Sequence, residues 1–180
     1  MAEDMRRNAS LGKGAWAGRD CGAGERCLSE QGNTAKEARM AALKLTCLDC
    51  GQVNRVPGDR LEAGPKCGTC GARLMPSKPV DIDAQTLAKA ARSDDVPLVV
   101  DFWAPWCGPC RQMAPEFSKA ADQLKGKVRM VKLNTEAHQA AGVKHGIRGI
   151  PTMVQFAKGR EVKRQSGAMP AGRIVDWISA

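Results

Sequence analysis

The sequence predicts an α/β fold in which parallel strand–helix crossovers are followed by an antiparallel hairpin and a covering helix. Three observations carry this. The apolar run Leu98-Val99-Val100-Asp101-Phe102-Trp103-Ala104 is strand-like and leads, through Pro105, into a long helical pattern that begins at Cys107. A second apolar run, residues 128–133, is followed by another helical stretch. Two more strand-like runs, 152–157 and 161–165, flank the turn Lys158-Gly159-Arg160. Strands alternating with helical stretches indicate crossover units, and a short Gly-containing break between two strands indicates a hairpin.

Each element has its local reason. Asp83 is placed to cap a helix through Leu87 to about Arg92, because a carboxylate there accepts from first-turn N–H groups. Residues 98–104, interrupted only by Asp101, suit a strand buried on both faces. The helix from 107 to about 124 contains Pro115 and is expected to kink there, since proline lacks the N–H of the helical ladder. Residues 128–133 form the next strand, and a helix is expected over 136–144. The last helix, 171–179, places Ile174, Val175 and Ile178 on one face. From the strand at residue 98 onward the order is βαβαββα.

This domain occupies residues 79–180. Residues 47–78 form a separate cysteine module: Cys47-Leu48-Asp49-Cys50-Gly51, sixteen intervening residues, then Cys67-Gly68-Thr69-Cys70-Gly71. Paired C-x-x-C hooks at this spacing fit a tetrahedral four-cysteine zinc site. The following glycines let the backbone turn so that amide N–H groups approach the sulfurs. So short a module needs a metal or an equivalent staple to fold, and structural zinc supplies on the order of 10–16 kcal/mol. The rival is a pair of auxiliary redox dithiols. Pro76 and Pro79 mark a linker. Residues 1–46 are rich in Gly, Ala and Arg without a hydrophobic period. They are expected to be a disordered extension with a short helix near 36–44, or to be untranslated as far as residue 39 if Met40 is the start. Cys21 and Cys27 in this segment match no motif and are read as unpaired thiols.

Composition narrows the function. The chain carries 28 Lys and Arg against 19 Asp and Glu, a net charge of +9, without a block of like charge, so a nucleic-acid arm is not expected. No Phe, Trp or Tyr lies between Cys47 and Pro79, which also argues against nucleic-acid binding by the module. No apolar stretch approaches the roughly 18 residues of a membrane span, and no secretory apolar region precedes the cysteines. Eight cysteines in this setting indicate a reducing compartment and a cytoplasmic protein, where C-x-x-C pairs serve metals or catalysis.

The third pair, Trp106-Cys107-Gly108-Pro109-Cys110, differs from the upstream hooks because it joins a strand to a helix, the context of a redox dithiol. Cys107 is expected to be partly exposed at the helix N-terminus, with Cys110 one turn inward and more buried. Helix-end N–H groups and the dipole favour a thiolate at Cys107. The dipole alone is worth roughly 0.3–1 kcal/mol, less than one pKa unit, so direct N–H···S hydrogen bonds must contribute. A thiol brought from about 8.5 to near 7 rises from a few per cent to about half thiolate at neutral pH.

The runs from Val100 to Cys110, Val131-Lys132-Leu133-Asn134 and Gly146-Ile147-Arg148-Gly149-Ile150-Pro151-Thr152 together resemble the thioredoxin family over about 100 residues. With the upstream hooks, the chain from Cys47 onward is similar to its zinc-binding bacterial members. The resemblance implies the thioredoxin fold and a protein-disulfide reductase. Cys107 would be the nucleophile and Cys110 the resolving thiol. Asp101, buried near Lys132, would help deprotonate Cys110. Ile150-Pro151 would be a cis bond facing the pair, and Trp103, Trp106, Gly149 and Gly167 would line the substrate surface. Cys47, Cys50, Cys67 and Cys70 would hold structural zinc. Partners would be an NADPH-linked thioredoxin reductase and disulfide-containing proteins. The chain is expected to be a monomer with no bound nucleotide, since no dinucleotide fingerprint is present. Arg111 stands where many family members carry Lys, and residues 1–39 have no counterpart in the family.

Two other readings stay open at this stage. An oxidase or isomerase of the same fold would usually carry His between the cysteines, where this chain has Gly108-Pro109. A zinc-dependent binding or redox-sensing module would use the α/β domain as a scaffold.

Overall fold

The computed structural model describes residues 41–180. The expectations for Cys21, Cys27, Met40 and the extension up to residue 40 lie outside the described residues. Two strands, β1 (Ala42–Thr46) and β2 (Val53–Pro57), pair antiparallel at the front of the chain. The body follows as β3 (Val80–Asp81), α1 (Ala84–Ser93), β4 (Leu98–Trp103), α2 (Gly108–Gln123), β5 (Arg129–Asn134), α3 (Gln139–Lys144), β6 (Thr152–Ala157), β7 (Arg160–Ser166) and α4 (Ala171–Ser179). Its five-stranded sheet has the order β3-β5-β4-β6-β7. The first three strands are parallel, and β6 and β7 run antiparallel. This is the expected α/β architecture with its mixed sheet.

The sheet is buried on both faces, as the continuous apolar runs require. On one face Leu98, Val100 and Phe102 of β4 pack with Val131 and Leu133 of β5 and with Leu87 and Ala90 of α1. On the other, Val99, Met130 and Met153 pack beneath Met113 and Phe117 of α2 and Ile174 and Ile178 of α4. Alternation along each strand divides its side chains between the two cores.

Several boundaries were legible. Asp83 caps α1 by accepting from the Thr86 N–H at 2.7 Å, and α4 spans the expected residues. The hairpin turn is tighter than expected. Lys158 and Gly159 both have positive φ, 50° and 79°, which fits a two-residue turn with Arg160 already in β7. Three expectations need correction. The helix expected from residue 136 starts at Gln139, because the Asn134 side chain accepts from the N–H groups of Glu136 and Ala137 and holds a turn there. Strand β3, two residues long, gave too short a pattern to detect. Residues 42–44, expected near the end of a short helix, belong to a strand instead.

The reason β1 is a strand lies in what meets it. Its one side pairs with β2. On its other side the Lys44 N–H donates to Asp95 Oδ2 at 2.7 Å, and the Lys44 carbonyl accepts from the Asp95 N–H at 3.0 Å. The Thr46 N–H donates to Asp94 Oδ1 at 2.7 Å, and its carbonyl accepts from Arg129 Nη2 at 2.7 Å. A two-stranded ribbon would otherwise leave this edge unpaired. Leu48 joins the core beneath α1, and Val96 joins the ribbon's own cluster of Leu45, Val56, Leu74 and Met75. Ribbon and body therefore share packing.

Candidate functional site

The dithiol stands where the strand-to-helix reading put it. Cys107 is the N-cap of α2, and the Cys110 N–H donates to its Sγ at 3.2 Å. That is the direct N–H···S hydrogen bond that the weak dipole requires beside it. Pro109 lies in the first turn, where its missing N–H costs nothing. Pro115 lies inside α2, which continues through it to Gln123. The two sulfurs are joined as a disulfide at 2.09 Å. In this state Cys107 is only 4% exposed and Cys110 2%, so Cys107 is less accessible than expected. The disulfide and the loop before β6 cover it.

That loop carries Ile150 and Pro151, joined by a cis peptide bond. The Ile150 carbonyl oxygen is 3.7 Å from Cys107 Sγ. Pro151 is fixed from behind: its carbonyl accepts from the Gly167 N–H at 2.9 Å, and Gly167 has a φ of 95° that suits glycine. Beside the pair runs a groove of about 290 Å³ lined by Trp106, Val143, Ile147, Arg148, Gly149 and Ile150. Trp106 is 68% exposed, an apolar side chain left open to solvent next to the reactive sulfurs. Of the residues expected to form a docking surface, Trp106, Gly149, Ile150 and Pro151 come together here. Trp103 is half-buried, and its indole N–H donates to Asp81 Oδ1 at 3.1 Å.

Beneath the disulfide lies a row of three charged residues in strand register. Asp81 of β3 pairs with Lys132 of β5, and Lys132 pairs with Asp101 of β4. Parallel register points all three side chains to one sheet face, the face that α2 covers. Cys110 lies one turn before Met113 on the buried side of α2, which sets it over the strand end that carries Asp101. Asp101 is fully buried, and neither carboxylate oxygen has a hydrogen-bond partner among the described residues. Burial pushes its carboxyl up to about 7, a rise that Lys132 opposes and Asp81 reinforces. A carboxyl poised near neutrality is suited to accept and release a proton.

The four ribbon cysteines also come together. Their Sγ atoms lie within 4.8 Å of one another, with Cys47–Cys70 at 3.5 Å and Cys50–Cys67 at 3.7 Å. A tetrahedron with metal–sulfur bonds of about 2.3 Å has edges of about 3.8 Å, so the donor set fits zinc. The two hooks are the same knuckle twice. Gly51 N–H donates to the Cys47 carbonyl and Gly71 N–H to the Cys67 carbonyl, both at 3.0 Å, with φ of 71° and 77° at the two glycines. Backbone N–H groups of Cys70 and Thr69 bring the Cys67 thiol down to about 6. Cys70 is pushed up to about 12: the Ala72 N–H lowers it but is outweighed by burial and by the neighbouring thiols. Four thiols this close cannot all ionise without a cation among them.

A family model described as thioredoxin matches residues 78–180, and one described as the N-terminal part of thioredoxin 2 matches residues 46–72. The chain belongs to the thioredoxin family. Thioredoxin C-3 of Corynebacterium nephridii is 37% identical over 134 residues, covering 74% of this chain and 92% of that one. The thioredoxin of Haemophilus influenzae is 40% identical over 87 residues, covering 48% and 81%. Among solved structures, a mutant thioredoxin from Halobacterium salinarum NRC-1 overlays with a TM-score of 0.53 at 29% identity, covering 58% of this chain and 91% of that one. Chloroplastic thioredoxin z overlays with a TM-score of 0.53 at 32% identity, covering 57% and 92%. This thioredoxin is a thiol-disulfide oxidoreductase with a four-cysteine ribbon of the thioredoxin 2 kind. No helix among its described residues is long and apolar enough to cross a membrane.

Three charged residues that matter to this arrangement were missed in the sequence. Asp94 and Arg129 form a buried ion pair under the ribbon. The signal was present: Arg129 shares strand parity with Val131 and Leu133, so a cation stood on a core face. Asp81 had no comparable signal, because a two-residue strand shows no period.

Proposed function

We propose that this thioredoxin is a general protein-disulfide reductase that cycles between the Cys107–Cys110 dithiol and disulfide. The observation that carries this is the pair itself, with Cys107 capping α2 and its Sγ 3.7 Å from the Ile150 carbonyl oxygen, beside an apolar groove. In the reduced protein the Cys107 thiolate attacks one sulfur of a substrate disulfide. A Cys107–substrate mixed disulfide forms and the other substrate sulfur leaves as thiolate. Cys110 gives its proton, through water, to the Asp101 carboxylate, and its sulfur then attacks Cys107 Sγ. The second substrate thiolate is released, two electrons have passed to the substrate, and the intrachain disulfide remains. Lys132 tunes Asp101, and Trp103 flanks the site beside Lys132. Trp106, Gly149, Ile150, Pro151 and Gly167 shape the surface on which the substrate backbone lies.

Cys47, Cys50, Cys67 and Cys70 would hold a structural zinc ion that cross-links the two knuckles. The reducing equivalents would come from an NADPH-linked thioredoxin reductase acting on the disulfide, and the protein would work in the cytoplasm as a monomer. We read the chain as an extension, a ribbon that includes β1, and a thioredoxin domain from residue 79.

The test is reduction of insulin disulfides with NADPH and a thioredoxin reductase. Wild type should turn over, and Cys107→Ser should not. Cys110→Ser should accumulate a mixed disulfide that migrates at the summed mass under non-reducing conditions. Equal activity in wild type and Cys107→Ser would overturn the mechanism.

A further inference from the structure

Lys132 stands between two carboxylates in one cross-strand row, and its ammonium is held by the outer one. Its Nζ lies 3.8 Å from Asp81 Oδ1 and 3.9 Å from the centre of the Trp103 ring. The same Asp81 oxygen accepts from Trp103 Nε1 at 3.1 Å. Carboxylate, ammonium and indole thus close a three-membered cluster. Asp101, the inner neighbour of Lys132 in the register, has no hydrogen-bond partner on either oxygen among the described residues.

We propose that Asp81 is a positioning residue for the exchange reaction, holding Lys132 at the outer side of the site so that Asp101 is free to take the Cys110 proton. This rests on the reductase reading above and adds a residue to it. The physical argument is a competition for one cation. An ammonium with a flexible stem moves toward whichever carboxylate is less costly to reach. Asp81 is exposed, its side chain 62% accessible, so pairing there keeps part of the hydration of both ions. Pairing with Asp101 would carry the ammonium into the sheet–helix interior, where desolvation opposes it. The Trp103 face adds a cation–π contact on the outer side. Without the Asp81 charge, the outer position keeps only the indole face, and Lys132 shifts its influence to Asp101.

Among the described residues, two charged groups bear on Asp101. Lys132 acts from β5 and Asp81 from β3. From β6 its register partner is the apolar Met153, and α2 contributes Cys110 and Met113 to the buried side. Asp81 therefore acts on Asp101 twice, weakly through its own charge and more strongly by withholding Lys132. Removing it lowers the Asp101 titration by both routes.

The test is the Asp81→Asn variant, whose amide oxygen still accepts from the Trp103 indole. The Asp101 midpoint is followed directly by carbon NMR of Asp-labelled oxidised protein. It should fall from about 7 by roughly 0.5–1 pH unit, and the acid limb of the rate–pH profile should move with it. In a Lys132→Met background the same Asp81→Asn change should shift the midpoint by less than half as much. An unchanged midpoint in Asp81→Asn overturns the proposal. So does an undiminished shift without Lys132, which would leave Asp81 acting through its own charge alone. A purely structural role would lower the rate equally at every pH and leave the midpoint in place. The midpoint needs no turnover, while wild-type insulin reduction tests the reductase reading, so either can fail alone.

Discussion

The guanidinium of Arg129 and the carboxylate of Asp94 pair with both side chains buried, and together they hold the peptide groups of Thr46. Thr46 precedes the first ribbon cysteine, so this pair fastens the ribbon to the start of β5. Replacing Arg129 with Met leaves Asp94 buried and unpaired, a loss of about 3–5 kcal/mol. Adding Asp94→Leu should recover part of that loss. Recovery stays incomplete because the Thr46 N–H and carbonyl both lose their partners, at roughly 1–3 kcal/mol for each buried group. Denaturant unfolding of the two single variants and the double variant measures the coupling. Additive losses would remove the pair from this role.

Asp101 makes stability depend on pH in a direction opposite to that of most carboxylates. Its folded value of about 7 lies above the ordinary 3.8, so between these limits the native state holds more protons than the unfolded chain. Stability therefore falls as pH rises through this window. Asp101→Asn should match wild type well below the window and exceed it above, by up to about 4 kcal/mol. Urea titrations of the oxidised proteins on both sides of the window check this, and a gain independent of pH would contradict it.

Metal loss should be local. Purified protein should contain stoichiometric zinc, and Cys67→Ser or a strong chelator should remove it. Amides of β1 and β2 should then exchange quickly, while those of α2 and β4 stay protected, because the body keeps its own two cores. Zinc content paired with hydrogen exchange on one sample decides the matter. Absence of zinc from protein purified under reducing conditions would refute the metal assignment.

At Gly149 an added Cβ meets no atom of the described residues within 4 Å, yet the residue lines the groove beside Ile150. Gly149→Ala should leave the melting temperature unchanged. It should lower kcat/KM for protein disulfides roughly fivefold, the effect of about 1 kcal/mol from a displaced backbone hydrogen bond. A small aromatic disulfide, which needs no backbone docking, should be reduced at the wild-type rate. Equal losses on both substrates would show that the side chain disturbs the dithiol itself.

Much of the site was legible because its signals are short-range. The N-cap position of Cys107, the two knuckle glycines and the Asp83 cap each depend on residues within one turn or loop. The start of α3 was misjudged because an Asn134 side-chain turn outcompeted helix propensity, and β1 was missed because most of its stabilisation comes from elsewhere. Its open edge is satisfied by Asp94, Asp95 and Arg129, the last of them 83 positions from Thr46. The bond from the Trp103 indole to Asp81, 22 positions away, had no local signal.

The sequence by itself determined the α/β order, the paired cysteine hooks and the dithiol at a helix start, since each follows from local geometry and residue type. Tertiary structure decided the rest. It brought Ile150 opposite Cys107, set Asp81, Lys132 and Asp101 in one row across three strands, and buried Arg129 against Asp94. These relationships depend on strand register and on desolvation, and neither exists until the strands have come together.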